Sequence, residues 1–127
     1  MRATIIGVII AFLVSILICV FSMREIRMTT ERMTRLHSQA LTQIGADDIP
    51  GALETLREIA ALWKEHEPLF EMLATHGNLH EVSVLIAESY TLLEGGETDN
   101  FITSMSALAE AIEHIWEEEQ LSLSNIL

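Results

Sequence analysis

The residues of this chain whose types and spacing could do chemistry are few. His76 and His80 stand four apart with Glu81 beside them, a spacing that on one unbroken helix turns two imidazoles toward a metal ion. Gly77–Asn78 falls between them and predicts a helix break, so loop and cap roles are favoured over a metal site. His80–Glu81 is followed by Val-Ser-Val, so no zinc-protease motif is completed. A second cluster is Glu117, Glu118 and Glu119, with Glu110, Glu113 and His114 upstream. A di-iron bundle needs Glu-x-x-His, and no glutamate precedes any of the five histidines by three. Consecutive glutamates also splay by about 100° on a helix. A solvated face, or a docking surface for a basic partner, is the natural reading. The single cysteine, Cys19, lies in an apolar run, and no serine carries a hydrolase elbow sequence. Gly95–Gly96 is followed by Glu-Thr-Asp without a lysine, so it is not a phosphate loop. The sequence thus points to a non-enzymatic protein with no catalytic residue, cofactor or metal.

Composition narrows the classes further. Residues 1–35 carry five arginines against two acids, whereas residues 36–127 carry Arg57 and Lys64 against 17 acids. Nucleic-acid binding needs basic residues to neutralise phosphates, and a domain this acidic excludes it. An anionic lipid surface would likewise be repelled, except at the arginine-rich base.

The dominant element is Ala3–Met23, 21 residues without a charge, flanked by Arg2 and Arg24 with Arg27 close by. As a helix it reaches about 30 Å, the thickness of a bilayer's hydrocarbon core. Ile18 before Cys19 argues against a lipoprotein site. Cleavage after Ser22 would suit a signal peptide, but the apolar stretch exceeds the usual ~7–15 residues, which favours an uncleaved anchor.

The expected architecture is all-α: an N-terminal transmembrane helix (1–23) continuing into a small antiparallel helical bundle (24–127). Ile26, Met33, Leu36, Ala40 and Ile44 form a helical stripe without an intervening Pro or Gly, which predicts a stem over 24–44 that ends at Gly45. Asp47 or Asp48 caps a second helix, about 49–66, with Pro50 in its first turn. Pro68 predicts a break and a short helix over 68–75. Further helices are expected over 79–94 and 98–120, followed by an apolar tail over 121–127. Phe101, Met105, Leu108, Ile112 and Ile115 make one heptad-like seam of the last helix, and Ile102, Ala109 and Trp116 a second. Trp63 and Trp116 read as core anchors, although Trp116 would suit a headgroup layer if the last helix returns to the membrane.

HIWEEEQLSLSNIL, residues 114–127, together with the stretch around Trp63 and His76-x-x-Leu79, resembles an uncharacterised family of small membrane-anchored proteins from spore-forming Gram-positive bacteria. That family is a domain of unknown function. The resemblance implies a bacterial membrane and an all-helical domain, and it brings no catalytic residues.

Two rules conflict over topology. Arg24, Arg27, Arg32 and Arg35 after the anchor outnumber Arg2 before it, which by positive-inside counting holds the domain in the cytoplasm. An anchor this close to the N-terminus instead behaves as a signal-anchor that exports the downstream domain, and the extracytoplasmic side is favoured. The expected partners are the lipid bilayer and another membrane or envelope protein, docked through Glu117, Glu118, Glu119, Asn125, Ile126 and Leu127. Self-association through Met33, Leu36 and Ala40 would make a homo-oligomer. The rival reading is a ligand- or metal-sensing domain with a pocket near His76, His80 and Trp63.

Overall fold

The computed structural model describes residues 1–73 and 76–126, and side chains except those of residues 73, 76 and 119–126. The described residues form four helices: α1 (Arg2–Gly45), α2 (Ile49–Leu73), α3 (His76–Glu94) and α4 (Thr98–Ile126). No strand occurs among the described residues.

Helix α1 runs 44 residues without interruption, joining the apolar segment to the stem. Its hydroxyl residues do not break it, because they bond within the helix. Ser15 donates to the Ala11 carbonyl at 2.9 Å, Thr30 to Ile26 at 2.7 Å and Thr34 to Thr30 at 2.9 Å. A hydroxyl that satisfies itself one turn back can be carried into an apolar medium. The helix ends at Gly45, yet the left-handed residue of the turn is Asp47, at φ 60°. Aspartate tolerates that conformation better than most residues. The Asp48 N–H then closes on the Gln43 carbonyl at 2.8 Å, and Asp48 Oδ1 caps α2 by accepting from the Gly51 N–H at 3.1 Å. The α3–α4 turn uses Gly96 at φ 77°, with the Glu97 N–H on the Leu92 carbonyl at 2.9 Å. A Cβ is disfavoured there, which is why a glycine marks this corner.

Three boundaries differ from the sequence expectation. Pro68 lies inside α2 and starts no new helix. Proline removes one backbone donor and crowds the carbonyl four residues back, that of Lys64. Both Pro68 and Lys64 are exposed, so water can serve the freed carbonyl while Phe70 and Leu69 pack inward from the following turn. Gly77–Asn78 likewise breaks nothing: both residues belong to the first turn of α3, where N–H groups lack intrahelical partners anyway. Helix α4 continues to Ile126, so the segment expected as a tail after Gln120 is helical through that residue; Leu127 lies outside the described residues.

The four helices alternate in direction around one core. Helix α1 packs on α2 and α4, and α3 packs on α2 and α4. Glu25 faces His66 while Gln39 faces Thr55, so α1 and α2 are antiparallel. Trp63 faces Ser83 and Arg57 faces Tyr90, so α2 and α3 are too. The core is built from Ile26, Met33 and Ala40 of α1, Leu56, Ile59, Trp63 and Phe70 of α2, Leu79, Val82, Ile86 and Leu93 of α3, and Phe101, Met105, Leu108, Ile112 and Ile115 of α4. The Trp63 and Phe70 rings lie 5.1 Å apart at a tilt of 33°, a favourable aromatic arrangement. The first seam of α4 is therefore core. The second is not: Ile102 and Ala109 are exposed and Trp116 is half-buried.

This register fixes the height of the bundle on α1. Its buried face begins at Ile26, immediately beyond the apolar run. From the Glu25–His66 level, α2 continues to Leu73, about 10 Å further toward the N-terminal end of α1. The bundle's base thus lies beside the last turns of the apolar segment, with Met72 there 81% exposed. Replacing Phe101, fully buried between the helices, with alanine should cost about 3–5 kcal/mol in urea unfolding of the micelle-bound chain, while Ile102→Ala next to it should stay within about 0.5 kcal/mol.

Candidate functional site

The polar side chains fall into a structural set and an accessible set. The structural set ties the helices together. Thr55, 2% exposed, donates to Gln43 Oε1 at 2.6 Å and accepts from Gln39 Nε2 at 3.3 Å, closing the far end of the α1–α2 pair. Ser89 and Ser104, both buried, bond at 2.8 Å between α3 and α4. His37 Nε2 lies 2.6 Å from the Met105 carbonyl, which can only accept, so that nitrogen carries the proton and joins α1 to α4. The Trp63 indole N–H donates to Ser83 Oγ at 2.8 Å, and with its ring buried Trp63 is a core anchor. On the outer face Arg57 donates to Tyr90 Oη and to Glu54 Oε2, each at 3.0 Å. Its pKa is raised, chiefly by the Tyr90 bond and then by Glu54.

The accessible set gathers where α1 meets α4 along its looser seam. A cleft of about 630 Å³ opens there, lined by Arg27, Thr30, Glu31, Thr34, Arg35 and Trp116. The helix places these residues for a simple reason. Thr30 and Thr34 follow Arg27 by three and seven, so all three share a side of α1, and Trp116 reaches across from α4. Arg27 Nε pairs with Glu31 at 3.2 Å. Both are exposed, so the pair is worth little in energy. Arg35 makes no ion pair among the described residues. The Thr30 and Thr34 hydroxyls spend their protons on carbonyls of their own helix, so their lone pairs remain to accept.

The residues singled out from sequence are spread over the whole length of the molecule. Arg2, Arg24 and Arg27 are exposed and flank the apolar run as expected. Met33 and Ala40 are 1% and 0% exposed and Leu36 is half-buried against the core. That stripe packs on its own chain, so it cannot serve as the self-association surface expected of it. Glu117 is exposed with His114 Nδ1 3.9 Å away, and Glu118 is half-buried. The side chains of Glu119, Asn125 and Ile126, and the whole of Leu127, lie outside the described residues, as does the side chain of His76. His80 is exposed, and among the described residues no three His, Cys, Asp or Glu side chains converge as a metal site would require. The cleft was not anticipated. Its signal was the outward displacement of Trp116 from the heptad seam, on the same end of the bundle as the arginines.

Fold and site together define a class: an antiparallel four-helix bundle whose first helix is far longer than the bundle, with the surplus apolar and bare. The chain belongs to the family of the domain of unknown function DUF4363, whose family model matches residues 20–126. That match starts inside the apolar run and covers the whole bundle. No curated protein and no solved structure matches the chain.

Because Thr55 is the shared partner of two glutamines, Thr55→Val should cost about 1–3 kcal/mol despite its near-equal volume, read from the shift in thermal unfolding followed by circular dichroism.

Proposed function

We propose that the chain is a non-enzymatic, single-pass membrane protein whose helical bundle docks another membrane or envelope protein from the extracytoplasmic side. The observation that carries the reading is the division of α1. Its apolar half is bare through residue 21: Phe12, Leu17, Val20 and Phe21 are all well over half exposed, and it belongs to the one described helix long and apolar enough to cross a membrane. Exposing a continuous apolar helix to water is strongly unfavourable, at about 25 cal/mol per Å², and a bilayer removes that cost. Its other half is a wall of the bundle, so anchor and bundle are one rigid piece.

Docking is supported by the surface this arrangement presents. Glu54, Glu58, Glu65, Glu81, Glu88, Glu94, Glu110, Glu113 and Glu117 are exposed around the bundle, with Lys64 and Arg57 the only basic residues beyond Arg35. Such a field steers a basic partner surface and repels anionic ones. With the base beside the membrane, the faces open to a partner are the sides and the far end.

The test uses the full chain in intact cells, with a photo-crosslinking residue at Glu117. The chain should resist carbonate extraction with residues 1–23 still attached, its bundle should be cleaved by protease added to protoplasts, and a discrete membrane-protein adduct should form. With that residue kept in place, charge reversal of Glu110 and Glu113 to lysine should abolish the adduct. A processed chain lacking its first 22 residues would contradict the anchor. A protected bundle would contradict the orientation, and an adduct indifferent to charge reversal would contradict acidic docking.

A further inference from the structure

The cleft between α1 and α4 sets two arginines beside two threonine hydroxyls, a carboxylate and an indole. We infer that it is a binding site for the phosphoglycerol headgroup of an anionic phospholipid, an inference that rests on the membrane anchoring proposed above. The donors are cationic: Arg35 has no partner among the described residues, and Arg27 commits only Nε to Glu31, leaving its terminal nitrogens for phosphate oxygens. The acceptors are neutral or anionic. Thr30 and Thr34 offer oxygen lone pairs because their protons are already donated to Ile26 and Thr30 carbonyls, and Glu31 adds a carboxylate. Phosphate requires the first group and glycerol hydroxyls the second. Glu113 and Glu117 are the exposed acids of α4 near Trp116. Glu117 faces His114 at 3.9 Å and pairs with neither cleft arginine.

Position selects a lipid over free phosphoglycerol. Arg27 stands about 6 Å beyond the end of the apolar run at Met23, inside the headgroup layer of a bilayer. Val20 lies seven residues below Arg27, and Ile16 fourteen below Thr30, so they continue the cleft's side of α1 downward. Both are open to a lipid tail, at 63% and 43% exposure. Half-buried Trp116 supplies the amphipathic ring that favours this depth. A phosphate on Arg27, with its glycerol reaching outward toward Thr30, Thr34 and Arg35 about 12 Å further along the helix, leaves its acyl chains against the bare anchor, and the arginine base becomes the one part of an acidic protein that anionic lipid prefers.

The test follows the intact chain in zwitterionic detergent micelles, titrated separately with phosphatidylglycerol, phosphatidylcholine and glycerol 3-phosphate. Tryptophan emission reports occupancy, with Trp116→Phe assigning the signal, and native mass spectrometry counts retained lipid. The expected result is one phosphatidylglycerol per chain and an emission shift lost in Trp116→Phe. Binding should weaken about fivefold in Arg27→Gln, about fivefold again in Arg27→Gln/Arg35→Gln, and not at all in Arg2→Gln, from the usual effect of one basic residue near anionic lipid. Equal binding of the two lipids, or an unaltered double variant, overturns the site. Competition by glycerol 3-phosphate at equal concentration assigns the cleft to a free anion and overturns the lipid. Failure of the anchoring reading is distinct, because it shows in cells as a chain lacking its first 22 residues and leaves the titration of the intact chain in micelles unchanged.

Discussion

One helix has to join a bare apolar segment to a packed wall of the bundle, and the rest of the structure depends on that constraint. Helix α1 carries a charge-free segment and then a strip of alternating core and solvent positions, with nothing between them that would permit a bend. The change of environment is abrupt: Phe21 is exposed and apolar, Arg24 exposed and charged, Ile26 wholly buried. Every other helix must take its height and direction from the second half of α1. Because the burial begins at Ile26, no spacer separates the bundle from the apolar segment.

The bundle itself is held by ordinary forces. Each fully buried Leu, Ile or Phe adds about 1.5–3 kcal/mol, and most of these side chains come from α2, α3 and α4, with Ile26 alone from α1. The polar contacts at the seams decide register more than they add stability. Thr55 with its two glutamines, Ser89 with Ser104, and His37 with the Met105 carbonyl each link a different helix pair. A helix sliding by one turn would bury one of these groups without a partner, which costs more than the bond itself gains. The α1–α4 seam has the least cover, and that is where a cleft remains.

Much of this was legible in the sequence. The long first helix followed from the absence of Pro and Gly between Arg24 and Ile44, and the core seam of α4 from the 4-3-4-3 spacing of Phe101 to Ile115. The misses share a cause: local rules were given more weight than tertiary context. Pro68 reads as a break because a proline inside a helix loses a hydrogen bond, yet its exposed side lets water replace it while Phe70 holds the helix to the core. Gly77–Asn78 reads as a break but sits where a first turn tolerates both. Met33 and Ala40 also allowed a self-association stripe because periodicity shows that a face is apolar, not what covers it. The cleft was hidden for the same reason. Arg27, Thr30, Thr34 and Arg35 are separated from Trp116 by most of the chain, and only the antiparallel return of α4 brings them together.

The central claim is that anchor and bundle form one continuous helix. Its direct measurement is a pulsed electron spin resonance distance between labels at Cys19, the native and exposed cysteine, and at Ser38→Cys on the exposed side of the bundle wall, with the chain in lipid nanodiscs. An unbroken helix predicts one narrow distribution centred near ~28 Å. A broad distribution, or a second population at shorter distance, would place a hinge between anchor and bundle and contradict the account.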